Sequence, residues 1–129
     1  LNNSSWHEMA NDARMRMGNS FYEAAKSSKQ ADLYKKAETA FQEVRNADGA
    51  SIEVKAESSF MMGECRREIK DWGAAGFYYL ETTLTFPSSQ KWVPKSFEQA
   101  IRCYEQAGLV DQISGIEKQY ADWQRNYSE

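Results

Sequence analysis

One period runs through almost the whole chain. Apolar residues recur at three- and four-residue steps, the spacing that places them on one face of an α-helix. In 10–25 the stripe is Met17, Gly18, Phe21, Tyr22 and Ala25. The next run, Leu33, Tyr34, Ala37, Ala40, Phe41 and Val44, ends at Asn46-Ala47-Asp48-Gly49, a helix stop. A third run spans about 52–69. A fourth covers 73–86 and is closed by Pro87, which cannot continue a helix. A fifth begins near Pro94, a residue suited to a first helical turn, and stops at Gly108, a C-cap. A sixth runs from about 110 to 127. Strand-type alternation is nearly absent; 77–80 and 82–85 have β propensity but sit inside a helical period, which outweighs it. The 129 residues hold only two prolines and seven glycines, so breaks fall between the runs rather than inside them. The pattern predicts an all-α chain of helices paired into hairpins.

Charge and composition remove several function classes. Lys and Arg number 16 against 19 Asp and Glu, a net charge of -3, which lacks the basic face that phosphate backbones require. No apolar run approaches the ~20 residues of a membrane span, so no membrane insertion by this segment is expected. Two cysteines exclude a disulfide-rich scaffold and a four-thiolate zinc site, and a single histidine excludes a multi-histidine metal site. His7-Glu8 begins like a zinc-protease motif, but no second histidine follows, and Gly49-Ala50-Ser51 is a turn without the Lys of a phosphate loop. No catalytic, cofactor-binding or metal-binding residue is therefore assigned, and the expectation is a protein that is not an enzyme. Cys65 and Cys103 read as small packed residues, since the ~10 Å between packed helices exceeds the ~6 Å that a disulfide spans. Glu64 and Glu68, one turn apart, read as solvated surface. Trp6, Phe86 and Trp92 read as loop packing or as partner anchors. The sequence opens on Leu1 without a leading Met. It reads as a trimmed segment, compatible with a removed signal peptide or lipid anchor and with a cytoplasmic or periplasmic setting.

The runs also repeat. Gly63 is followed by Asp71-Trp72, Ala75, Tyr79 and Pro87; Gly18 is followed by Phe21 and, after a longer turn, by Tyr34, Ala37, Phe41 and Val44; Phe97, Ala100, Ile101 and Tyr104 precede Gly108. This order of small, aromatic and turn residues resembles the tetratricopeptide repeat family, a 34-residue helix–turn–helix with the pattern W-x2-L-G-x2-Y, then A-x3-F, then P. Met62-Gly63 stand at its Leu-Gly, Ala75 at its Ala, Tyr79 at its Phe and Pro87 at its Pro, with unbroken spacing from Gly63 to Pro87. Ser59 and Arg66 replace the two aromatics of the first helix. The first repeat matches at Met17, Gly18 and Phe21, and again from Tyr34 to Val44 after inserted residues within 26–32. The third matches at Phe97, Ala100 and Tyr104, with Ile101 in place of the glycine. The resemblance covers about 10–120. It implies one domain, 1–129, as a right-handed superhelical array of three hairpins: about 10–46, 52–87, and 94–127 with a C-terminal capping helix. The extra residues near 50–52 and 88–93 resemble the longer connections of bacterial envelope-associated members.

The resemblance also implies a site. The first helix of each repeat lines a concave groove, which assigns Met15, Asn19 and Tyr22, then Phe60, Met61, Glu64 and Arg67, then Lys95 and Arg102 to partner binding. The expected floor is Met15, Tyr22, Phe60 and Met61, with Arg67 and Arg102 pairing acids of the ligand. The family's carboxylate clamp is matched only at Asn19 and Lys95, with Arg102 nearby, so a chaperone-tail clamp is not expected. The implied function is a non-catalytic protein–protein interaction scaffold that takes a protein or peptide segment. The alternatives are a self-associating module, dimerising through Ile116, Tyr120 and Trp123 of the last helix, and a bacterial cell-envelope assembly factor.

Overall fold

The computed structural model describes residues 3–128, with side-chain surroundings from Trp6 to Ser128. Six α-helices follow one another: α1 (Asn3–Ser28), α2 (Ala31–Arg45), α3 (Ile52–Glu68), α4 (Trp72–Thr85), α5 (Trp92–Gln106) and α6 (Ile113–Asn126). A 3₁₀ turn, Val110–Gln112, precedes α6. There is no strand among the described residues. Each helix packs on the next in the chain, and α3 also touches α5. The result is an all-α array of helical hairpins, α1/α2, α3/α4 and α5/α6, stacked in chain order.

Local chemistry sets the helix ends. Ser51 Oγ accepts from the Val54 N–H at 3.2 Å and Asp71 Oδ1 from the Ala74 N–H at 3.4 Å, which satisfies free donors at the starts of α3 and α4. Ser89 Oγ accepts from the Trp92 N–H at 3.1 Å, and α5 starts there, earlier than Pro94. Pro94 is tolerated because the N–H it lacks would have no helical partner in the first turn. Each hairpin turns through a left-handed residue: Lys29 (φ 58°), Lys70 (φ 62°) and Gly108 (φ 77°). At Gly108 the Leu109 N–H donates to Tyr104 O and the Gly108 N–H to Glu105 O, the bond pair that closes a helix at a left-handed residue. The insertion expected within 26–32 is not a loop. α1 continues through Ser28 and α2 starts at Ala31, because no Gly or Pro interrupts these residues. α1 also starts at Asn3, well before the expected 10.

Burial follows the hairpin order. Tyr22, Ala37, Phe41 and Val44 from α1 and α2 pack with Met62 and Cys65 of α3. Phe60, Ala75 and Tyr79 pack with Ala100 and Cys103 of α5. Val93 and Phe97 pack with Ile116 and Trp123 of α6. Polar pairs link the same elements. Arg66 donates from Nε and Nη2 to both carboxylate oxygens of Glu38, at 2.6 and 3.0 Å, tying α3 to α2. Arg45 of α2 pairs with Glu81 of α4. Thr82 Oγ1 donates to Ser59 Oγ at 2.7 Å within the second hairpin.

Two glycines let the hairpins close. A Cβ at Gly18 would stand 2.6 Å from the Phe41 ring, and one at Gly63 would stand 2.6 Å from the Tyr79 ring. Overpacking of this kind costs about 1–3 kcal/mol. Gly63→Ala should therefore lower the unfolding free energy by about 1–3 kcal/mol, read as a lower denaturant midpoint at unchanged slope. Gly73→Ala, in α4 with nothing within 4 Å of the new methyl group, should be neutral or stabilising by up to about 1 kcal/mol.

Candidate functional site

α1, α3 and α5, the first helices of the three hairpins, sit beside one another, with α3 in the middle. Tyr22 of α1 reaches Glu68 of α3, and α3 packs on α5. The face they form has two zones.

The first zone is a network of tyrosines, carboxylates and one guanidinium. Tyr79 OH donates to Glu64 Oε1 at 2.5 Å, Tyr22 OH to Glu68 Oε1 at 3.3 Å and Tyr34 OH to Glu68 Oε2 at 3.5 Å. Arg67 Nη2 lies between the two glutamates and donates to Glu64 Oε2 at 3.0 Å and Glu68 Oε1 at 3.2 Å. Burial alone would lower the Arg67 pKa, but the hydrogen bond and charge of Glu64 outweigh it and hold the guanidinium firmly charged. Lys26 reaches over the Tyr22 ring, 5.5 Å from its centroid. Beside the network an open recess of about 510 Å³ is lined by Lys26, Lys29, Ala31, Tyr34, Glu68 and Ile69.

The second zone is aromatic and basic. Trp92 rests on Phe60 with ring centroids 5.3 Å apart. Lys91 Nζ and Lys95 Nζ lie 4.8 and 4.9 Å from the Trp92 centroid, within cation–π range. Burial raises the Glu57 carboxyl above its ordinary pKa, and Lys91 partly offsets the shift. Arg102 stands two turns beyond Lys95 on the same side of α5, exposed.

The expected groove residues divide. Asn19, Lys95 and Arg102 are exposed on the face. Glu64 and Arg67 are half-buried and paired with each other, so Arg67 is already engaged within the chain rather than held open for a ligand. Met61 is half-buried and packs against the first two core clusters. Met15, Tyr22 and Phe60 are buried in those clusters and lie beneath the face, which corrects the expectation that they form its floor. At the edge of a helical face, spacing does not decide whether a side chain turns inward; here the neighbouring hairpin does. Glu64 and Glu68 are likewise not a solvated pair, because each accepts from buried tyrosines. Tyr34 and Tyr79 are the site residues that the groove spacing did not assign, whereas Trp92 stands among the residues expected as loop packing or partner anchors. The available signal was that buried tyrosine hydroxyls need acceptors.

The last helix is corrected too. Ile116 and Trp123 are buried against α5, Tyr120 stacks on Phe97 at 4.8 Å, and Trp123 Nε1 donates to Pro87 O at 2.6 Å. The chain covers this stripe itself, so it is not a free surface for a second copy. Both cysteines are free and buried. Burial pushes the Cys103 thiol up to about 11 and Cys65 further, so neither is poised as a thiolate. Among the described residues no three His, Cys, Asp or Glu side chains gather as a metal site. No protein-family model, curated protein or solved structure matches the chain.

The network has a pH signature. Burial, then the charge of Glu64, keeps Tyr79 protonated far above the ordinary phenol pKa; burial, then Glu64 and Glu68, does the same for Tyr22. In the unfolded chain tyrosine ionises near ~10. The stabilisation is therefore fully present below about pH 10 and is lost as pH rises above it, because the unfolded state releases protons that the folded state keeps. In an alkaline titration, the tyrosinate signal missing from Tyr79→Phe should appear in the parent only as helical circular dichroism is lost. Ionisation of Tyr79 with the helices intact would contradict this.

Proposed function

We propose that the chain is a non-catalytic interaction module of the tetratricopeptide type, and that a segment of another protein lies across the face of α1, α3 and α5. The observation that carries this reading is the Trp92 platform. An aromatic ring is fixed from behind by Phe60, flanked by two lysines and followed by Arg102 along α5. Trp and Arg dominate interface hot spots because they combine large contact area with directed polar groups. A platform held in place before binding also spares the partner much of the ordering cost. Arg67 is paired internally with Glu64 and Glu68, whereas Lys95 and Arg102 of α5 are exposed beside the Trp92 ring, with Glu98 between them along the helix. The favoured partner is therefore a segment that carries carboxylates beside an apolar side chain.

Panning a displayed random-peptide library on the purified chain tests this. Enriched peptides should carry Asp or Glu next to an apolar residue. Lys95→Glu with Arg102→Glu should weaken them by about tenfold or more, a change of ~1.4 kcal/mol or larger, with unchanged helical content. No enrichment over an unrelated helical protein, or binding that the double variant leaves intact, would contradict the reading.

A further inference from the structure

The first helices of the second and third hairpins bury the same set of positions. In α3 these are Ser58, Met62 and Cys65; in α5 they are Ser96, Ala100 and Cys103; all six are buried. In each case the second helix of the preceding hairpin covers them. α2 packs Ala37, Phe41 and Val44 on Met62 and Cys65, and α4 packs Ala75 and Tyr79 on Ala100 and Cys103. Gly18 and Gly63 seat the ring of their own hairpin in the same way, and aligning them puts Ala13, Met17 and Ser20 of α1 at the corresponding places. All three are exposed, Met17 at 52% against 1% for Met62. The first hairpin thus presents, uncovered, the surface that a helix closes in the other two.

That surface is long and uncharged. Trp6, Met9, Ala13, Met17, Ser20 and Ala24 follow one another at helical steps over ~27 Å of α1. Trp6 and Met9 are 58% and 64% exposed. The other end of the array differs. The outward positions of α6, among them Glu117, Lys118, Gln124 and Arg125, are polar, as a terminal cap requires.

We propose that the covering helix is α1 of a second copy, packed antiparallel about a two-fold axis near Ala13. This register sets Trp6 against the partner's Ser20, large against small, and Met9 against the partner's Met17, two flexible side chains, with Ala13 of both copies where the helix backbones cross. Asp12 and Arg16 border the stripe on one side, and both are exposed. Antiparallel packing brings Asp12 within a turn of the partner's Arg16, a pairing that parallel packing lacks because it sets this border against the partner's opposite one. No charge lies within the stripe itself, so none is desolvated. The contact joins the same surface of both copies, so it is isologous and closes at two. It does not involve the face of α1, α3 and α5.

Sedimentation equilibrium of the full chain over a concentration series tests the proposal. The expected result is a dimer, whose dissociation constant Met17→Glu raises by about a hundredfold or more with helical content unchanged. Mild oxidation of an Ala13→Cys variant should give a disulfide-linked dimer. Ala24→Cys should not, because two-fold packing separates its copies by roughly 30 Å. A monomer at all concentrations, a dimer indifferent to Met17→Glu, or crosslinking through Ala24→Cys would each overturn the proposal.

Discussion

Phe41 and Tyr79 lie against helix surfaces that carry no Cβ, at Gly18 and Gly63, and much of the structure depends on that approach. A side chain there would hold the paired helices apart by the width of a methyl group. With the glycines, the rings sink between the helices and show their far sides to the next hairpin, where Met62 and Cys65 cover one and Ala100 and Cys103 the other. The Tyr79 hydroxyl has to leave this apolar layer to find an acceptor, and it does so at Glu64. Glu64 in turn fixes Arg67, and Arg67 bridges to Glu68, which accepts from Tyr22 and Tyr34. A packing contact inside one hairpin thereby sets the polar groups of the face formed by the three first helices.

The third hairpin closes by other means. Ile101 stands where the first two hairpins have glycine, and it packs against the cluster of Val93, Phe97, Ile116 and Trp123. Phe97 and Tyr120 stack nearly parallel, and the Trp123 indole is anchored on the Pro87 carbonyl. The Tyr104 ring instead faces back to α4, where a Cβ at Gly76 would lie 2.8 Å from it. This explains why the sequence of the third hairpin departs from the other two while its helices still stack in the same order.

The helical period and the glycine–aromatic spacing made the six helices and their pairing legible, because both come from local geometry that recurs along the chain. Features set by neighbours were less legible. Met15, Tyr22 and Phe60 occupy borders of their helical faces, and only the adjacent hairpin decides that they turn inward. Ile116 and Trp123 looked unpartnered because their cover, Val93 and Phe97, lies on the preceding helix. Glu64 and Glu68 looked solvated because their tyrosine donors are far away in sequence, Tyr22 and Tyr34 on the first hairpin and Tyr79 on α4. The residues within 26–32 read as an insertion since the repeat spacing broke there, although their composition was helical throughout. The basic platform at Trp92 depends on a serine, Ser89, that starts α5 before its proline.

The central claim is that successive hairpins seal one another through equivalent positions, and the two cysteines report on it directly. Cys65 lies between the first and second hairpins and Cys103 between the second and third, each 1% exposed. Native-state thiol labelling, with each rate taken relative to the same cysteine in the unfolded chain, measures the free energy of opening at each seam. The account predicts that both thiols are protected to the same degree, equal to the stability from denaturant unfolding. Labelling of either cysteine near its unfolded-chain rate under native conditions would mean that the hairpins do not seal one another.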